Sequence, residues 1–232
     1  MIIKYLKKLK KNIKEHLLRL EYRNLSTKEA FEKIYDNKEW NRNSIKINSG
    51  PGSHEKLLTE PYIKFVSKFL KKKKLNVLDL GCGDFNIGKE FYKLSSSYLG
   101  IDIVESVIKA NKIRFYNQKL DFLCLDIIND DLPNADCVII RQVLQHLDNK
   151  SIKKILKKLD KYKFLIITEH IPNGKFKANI DKSINPLIRL EFNSGINIEK
   201  DPFNIKYKIK EELILKDSQM GGLHKTVLYT IF

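Results

Sequence analysis

Cysteine is scarce in this sequence of 232 residues, with three copies, Cys82, Cys124 and Cys137. Their odd number and wide spacing fit neither a disulfide framework nor a zinc site, so they read as reduced, small and mostly buried, and no metal is expected. No run of 18 or more apolar residues occurs, which excludes a membrane-spanning helix. The N-terminus "MIIKYLKKLKKNIKEHLLRL" has no uninterrupted apolar stretch of secretory type, so the expected location is the cytoplasm. Arginine is scarcer than the charge suggests. The net charge is +16, yet of 44 basic residues only six are arginine, which leaves 38 lysines. Specific phosphate and base recognition leans on arginine's bidentate fork. The charge therefore does not by itself signify specific nucleic-acid binding, and it suits a small acidic substrate equally well.

What is present falls into two rhythms. Ile2, Leu6, Leu9, Ile13, Leu17 and Leu20 recur at three- and four-residue steps, a helical stripe with lysines opposite. Such a helix packs on its own domain or a partner; weak association of residues 1–20 with an anionic membrane surface is the sharper alternative. A second helix is expected to start at Ser26 or Thr27, with Glu29 in a capping arrangement. "INSGPGSHE" reads as a loop, with His54 at a helix entry. "PYIKFVSKFLKKKK" reads as a helix opened by Pro61 and closed by lysines that suit its dipole.

From residue 75 the pattern changes. "LNVLDL", "SYLGID", "DFLCLD", "ADCVII" and "KFLIIT" are short apolar runs, most of them separated by helix-like segments such as "IGKEFYKL", "VESVIKANKI" and "SIKKILKKLDKY". That alternation indicates a parallel sheet covered on both faces. Residues 171–210 are polar and irregular, and "EELILKD" and "KTVLYTIF" read as an antiparallel pair, their link too short for a crossover helix.

The stretch "VLDLGCGDFNIG", Val77 to Gly88, carries the first functional signal. Gly81 and Gly83 allow a tight turn and close approach of backbone to a ligand. Asn86 stands where the dinucleotide fingerprint requires glycine, and Asp84 opposes a pyrophosphate. A carboxylate about 4 Å from a phosphate charge costs about 1 kcal/mol in water and about 4 kcal/mol at an effective dielectric of about 20. A nicotinamide dehydrogenase is thereby disfavoured. Asp102, ending the second strand, can accept hydrogen bonds from both hydroxyls of a ribose. Asp126, ending the third, can accept from an adenine amino group. Adenosine without phosphates, carrying a cationic tail, suits such a site, and S-adenosylmethionine is a ligand of that kind.

"VLDLGCGDFNIG", "GIDI", "CLDI" and "IIRQVLQHL" resemble the successive motifs of class I S-adenosylmethionine-dependent methyltransferases, over roughly Leu75 to His170. The resemblance implies an α/β, Rossmann-like fold. It would have a seven-stranded, mostly parallel sheet with an antiparallel last strand, helices on both faces and an N-terminal helical cap. Residues 1–65 would form the cap and 66–232 the methyltransferase domain, with a lid at about 171–210. It also implies that Asp79, Gly81, Cys82, Gly83 and Asp84 surround the methionine part. Asp102 and Ile103 would take the ribose and flank the adenine, Asp126 and Ile127 would meet the adenine edge, and Arg141 and Gln142 would line the wall by the sulfonium. "FEKIYDNKEW", "SGPGS" and "DPFNIKY" resemble segments of bacterial methyltransferases associated with surface-polysaccharide biosynthesis. That narrower likeness implies that Tyr35, Trp40, Gly50, Gly52 and Ser53 cover the cofactor. Asn193, Asp201 and Phe203 would sit on a lid over the acceptor, and the acceptor would be a sugar, sugar-phosphate or phosphoramidate.

Three side chains at the strand rim are candidates for chemistry. His146 is expected one helical turn beyond strand four, facing the transferred methyl, because a histidine's ordinary pKa suits a general base. Glu169 and His170 end strand five, where groups facing an acceptor would lie. The leading expectation is an enzyme acting on a small-molecule acceptor. The alternatives are a methyltransferase of RNA or another nucleic acid, and a non-catalytic partner. "RQVLQH" lacks the Asn/Asp-Pro-Pro-aromatic signature expected for methylation of planar base nitrogens, and intact Gly81, Gly83 and Asp102 weigh against the non-catalytic partner.

Overall fold

The computed structural model describes residues 13, 16–40 and 47–232. Seven strands run in chain order: β1 (Asn76–Leu80), β2 (Ser97–Asp102), β3 (Leu120–Cys124), β4 (Cys137–Arg141), β5 (Phe164–Ile171), β6 (Ile209–Lys216) and β7 (Leu223–Thr230). They form one sheet in the order β3-β2-β1-β4-β5-β7-β6. β1 to β5 are mutually parallel, and β7 runs antiparallel to both β5 and β6. The chain winds outward from β1 in one direction and from β4 in the other. Their carboxyl ends therefore diverge at a switch point, where open α/β sheets bind ligands.

The apolar runs become strands because both sheet faces are covered. Val77, Ile139 and Ile166 pack with Tyr62, Val66 and Leu70 of α3 (Lys56–Lys73) on one face. Leu78, Val138 and Ile140 pack with Ile152 and Ile155 of α5 (Asn149–Leu159) on the other. α4 (Glu105–Arg114) follows β2 and places Ile108 in the α3-side cluster. The edge strand β6 is blunted by charge, with Lys210 paired to Glu212 and Glu199.

Local chemistry fixes several ends. Ser26 caps α2 (Thr27–Asp36), its hydroxyl accepting from Glu29 N while the Glu29 carboxylate accepts from Ser26 N at 2.7 Å. α3 closes on Lys74 in the left-handed region after a run of lysines. It opens at Lys56 rather than at Pro61, which lies inside the helix. Burial of Leu58 and Thr59 outweighs the one hydrogen bond that proline removes. "IGKEFYKL" is two 3₁₀ turns, Gly88–Glu90 and Tyr92–Leu94, instead of a helix. Gly88 passes so close to the Phe85 ring that a Cβ there would lie 2.2 Å from it. Cys124 is exposed rather than buried, since β3 is the sheet's edge on that side.

Residues 16–22 form α1. Ile2, Leu6 and Leu9, with most of the proposed membrane-facing segment, lie outside the described residues. The inward face of α1 is carried by Leu18 and Tyr22, which pack against Ala30, Ile34 and Leu187. Ile13, Leu17 and Leu20 are more than half exposed, because they occupy the neighbouring face. Among the described residues no helix is long and apolar enough to cross a membrane.

Candidate active site

The glycine loop after β1 turns on Gly81 (φ 76°) and Gly83 (φ 53°). A Cβ on Gly83 would lie 2.1 Å from Ser49 Oγ, and one on Gly81 would lie 2.4 Å from Val143 Cγ2. The glycines thus let the loop at 47–55 and the turn after β4 close directly over the β1 end. Asn111, which the motif reading missed, donates from Nδ2 to Gly83 O at 2.7 Å and pins the loop from α4.

Asp84 is the latch of this closure. Its Oδ2 accepts from Ser49 N at 3.1 Å and lies 2.7 Å from His54 Nε2, while its own N–H donates to Ser49 Oγ at 2.8 Å. Its Oδ1 accepts from Asn86 N. The carboxylate that argued against a phosphate is therefore engaged chiefly with the covering loop, and His54 is its partner rather than a mere helix-entry residue. Arg141 fastens the same loop from β4. Its guanidinium donates to Gly52 O at 2.6 Å and to Ser53 Oγ at 3.3 Å, and it stacks over Tyr62 at 4.9 Å. Burial pushes its pKa down.

Asp102 and Asp79 are buried carboxylates, and among the described residues Arg141 is the cation whose charge acts on Asp79. Asp102 accepts from Gly83 N and Val104 N, each at 3.0 Å, and burial raises its pKa to about 6. Asp79 accepts from Tyr98 Oη at 2.8 Å, and burial raises it to about 7. Both line the cavity at the switch point, with Ile103, Asp126 and Ile127 beside them. Asp126 spends part of its capacity locally, accepting from Ile128 N and Asn129 Nδ2. Buried carboxylates raised in this way are a fit for a cationic ligand, whose charge would restore their ionisation.

The covering side consists of Tyr35 and Trp40, with Gly50, Gly52 and Ser53 of the loop. Tyr35 Oη lies 3.4 Å from Ser49 Oγ. Trp40 packs on Tyr35 with centroids 5.2 Å apart and on His146 at 5.0 Å. Its Nε1 is buried and has no hydrogen-bond partner among the described residues, and the same holds for Gln145 Oε1. Cys82 also lines the cavity.

His146 reaches the cavity by another route than the expected helix. Gln142 turns at φ 58°, and Leu144–His146 form a 3₁₀ turn. Glu169 makes that turn: its carboxylate accepts from Leu144 N at 3.1 Å and Gln145 N at 3.0 Å. Glu169 does not line the cleft; it borders a second cavity with Ile167 and Tyr229, because alternate β5 residues face opposite sides of the sheet. Burial raises its pKa to about 8. His170 does line the cleft, and it brings two residues that sequence spacing could not reveal, Asp217 and His224. In-register pairing of β5 and β7 sets His170 opposite His224, with centroids 4.3 Å apart. Gln142 Nε2 lies 2.7 Å from His224 Nδ1.

These imidazoles are weak bases. Burial and the nearby Lys182 ammonium push His146 down to about 3. Burial and His170 push His224 to about 4, and burial lowers His170. Lys182, also missed, donates to His146 O at 3.1 Å. Of the proposed lid, Ile188 lines the cavity. Asn193, Asp201 and Phe203 do not. Asn193 ends a short turn, Asp201 accepts from Asn204 Nδ2, and Phe203 packs into the α5-side core.

Residues 78–162 match the family model described as a methyltransferase domain. Among curated relatives, the carboxy-S-adenosyl-L-methionine synthase of Campylobacter hominis is 34% identical over 80 residues, 33% of this chain and 34% of that protein. The phosphoethanolamine N-methyltransferase of Triticum aestivum is 28% identical over 92 residues, 38% of this chain and 18% of that protein. The chain thus spans about a third or less of the length of these relatives. Its fold is shared with the N-methyltransferase NodS from Bradyrhizobium japonicum WM9, solved with S-adenosyl-L-homocysteine. The TM-score is 0.63 at 10% identity, covering 87% of this chain and 98% of that one.

Proposed function

We propose that this chain, whose methyltransferase domain uses S-adenosylmethionine, methylates an oxygen of a small anionic or glycan-related acceptor. When bound, S-adenosylmethionine supplies a methyl group made electrophilic by its sulfonium. Asp102 would hold the ribose hydroxyls, and Asp126 with Ile103 and Ile127 would bound the adenine. Asp79 faces the cationic part, and Arg141, Gly52 and Ser53 close the cleft against water. Because methyl transfer is an in-line displacement, this positioning is the main task of the protein.

The observation that carries the acceptor class is the wall of three buried imidazoles, His146, His170 and His224, along one side of the cleft, where burial disfavours the proton-accepting step. With His146 at about 3 and His224 at about 4, neither competes well for the proton of a neutral hydroxyl. An acceptor that arrives already ionised, such as a phosphate-like or carboxylate oxygen, needs no such base. His146 and His170 would then position it, while Gln145 Oε1 and Trp40 Nε1 offer polar atoms with no partner among the described residues. The wheat relative's name specifies a phosphorylated small molecule methylated on nitrogen, so it bears on the charge of the acceptor and not on the oxygen. The test is formation of S-adenosylhomocysteine with phosphorylated, acidic and neutral sugars. Turnover confined to neutral sugars would reverse the acceptor assignment, and no heat on titration with S-adenosylmethionine would remove the cofactor.

A further inference from the structure

At the end of the cleft away from the glycine loop, three buried side chains converge. The ligand-capable atoms of His170, Asp217 and His224 all lie within 4.8 Å of one another. His224 Nε2 is 3.1 Å from Asp217 Oδ2, and His170 Nε2 is 3.9 Å from the same oxygen. Two donors each about 2.0–2.2 Å from a shared ion at tetrahedral angles lie about 3.2–3.6 Å apart. The cluster is therefore within side-chain adjustment of a coordination set.

The fold holds these groups in place. Strand register fixes the two histidines across from each other. The hairpin turns through Gly221 (φ 76°) and Gly222 (φ 79°) and returns Asp217 beside them. Asp217 Oδ1 accepts from Gln219 N and Met220 N, which leaves Oδ2 toward the imidazoles. Gln142 engages His224 through Nδ1. The Gln142 amide nitrogen donates there, so Nδ1 accepts and Nε2 carries the proton toward Asp217 Oδ2. An ion at Nε2 requires that proton to move to Nδ1 and the amide to turn its oxygen to it, an outer partnership common for metal-bound imidazoles. His170 would exchange its contact with Gly221 O, now 2.6 Å from Nε2.

We propose that His170, Asp217 and His224 form a site for a divalent transition metal ion at the acceptor end of the cleft. Two imidazoles and one carboxylate suit zinc, cobalt(II) or iron(II). Three protein ligands leave at least one position for water or an oxygen of the acceptor. All three residues border the same cavity as Asp79 and Asp102, so an ion here would lie on the acceptor's side. The coordination set stands on its own geometry, while its place at the acceptor end rests on the proposed function.

The test uses the full chain, stripped with a chelator and titrated with cobalt(II) alone. The expected result is one ion per chain, with visible absorption of a low-coordinate nitrogen–oxygen shell. Asp217→Asn and His224→Gln should each weaken binding at least about tenfold, while His16→Ala leaves it unchanged. Circular dichroism of the stripped variants reports whether they fold. If they do not, X-ray absorption on the zinc-loaded native chain decides, with two imidazole nitrogens expected in the shell. No stoichiometric uptake, a shell without imidazole, or uptake unchanged in a folded His170→Gln/His224→Gln variant would overturn the site.

Discussion

The cleft has two halves made in different ways. The half beneath β1 and β2 is acidic and built from contiguous sequence. Asp79 lies near the end of β1, Gly81, Gly83 and Asp84 lie in the loop that follows, and Asp102 ends the next strand, where it accepts from Gly83 N. The half beneath β4, β5 and β7 is lined by Arg141 and imidazoles, assembled across long separations. His170 meets His224 only because β7 inserts antiparallel beside β5. The first half holds its charge on short chain segments, so its chemistry travels with a motif. The second owes its chemistry to strand register.

The largest expected effect sharpens the contrast on the acidic side. Asp102→Ala removes the acceptor for Gly83 N and Val104 N along with the carboxylate proposed to hold the ribose. At about 1.5–3 kcal/mol per charge-assisted hydrogen bond, cofactor affinity should fall at least about tenfold and toward a thousandfold. Calorimetry showing native affinity in a folded Asp102→Ala protein would break the assignment. On the other half, Glu169→Leu strands two buried backbone N–H groups, at about 1–3 kcal/mol each. Denaturant melts should show a loss of at least about 2 kcal/mol, whereas Glu169→Gln should lose less; equal losses would deny the carboxylate its role in the turn.

His146→Ala separates the halves functionally. Cofactor affinity should remain within about twofold of native, while kcat/KM drops about tenfold, mostly through KM if the acceptor is anionic. A drop confined to kcat and exceeding about a hundredfold would restore His146 as a general base.

A subtler test uses protons. Asp79, raised to about 7, is about half protonated at pH 7 before the cofactor binds. A cationic ligand lowers that pKa, so binding should release a fraction of a proton near pH 7, read from calorimetry in buffers of different ionisation enthalpy. Asp79→Asn should abolish the release. In the ligand-free chain the two halves oppose each other in pH dependence. Asp79 and Asp102, raised above their unfolded values, contribute stability that is present below about 3.8 and lost as pH rises through about 6 to 7. His146 and His224, lowered, contribute stability present above about 6.5 and lost as pH falls through about 4 to 3. Replacing either pair should tilt the profile of Tm against pH toward the other. The smallest expected effect is with nucleic acid. Lysine-rich charge should give weak binding that vanishes with added salt; sub-micromolar, salt-resistant binding would favour a nucleic-acid acceptor.

Much of the acidic half was legible beforehand, since a strand, a glycine turn and acidic strand ends are local features. The same locality fell short elsewhere. Asp84 lines the cavity, and it also latches Ser49 and His54, residues whose contact with it no local pattern encodes. Glu169 and His170 are adjacent and read alike, yet the pleat sends one to the cleft and the other to a second cavity. Of the stripe, Ile13, Leu17 and Leu20 are more than half exposed, while the neighbouring Leu18 and Tyr22 meet the core.

The sequence by itself determined the alternation of strands and helices, the antiparallel final pair and the acidic strand ends. Each follows from near-neighbour chemistry, whether burial, capping or the conformational freedom of glycine. Only the tertiary structure decided which rim residues share a cavity, that Arg141 and Asp84 close the loop at 47–55, and that Asp217 and His224 stand beside His170. Those contacts depend on sheet order and strand register, which place residues far apart in the chain within a few ångströms. Burial there sets their protonation, a quantity fixed by the assembled surroundings and not by residue type.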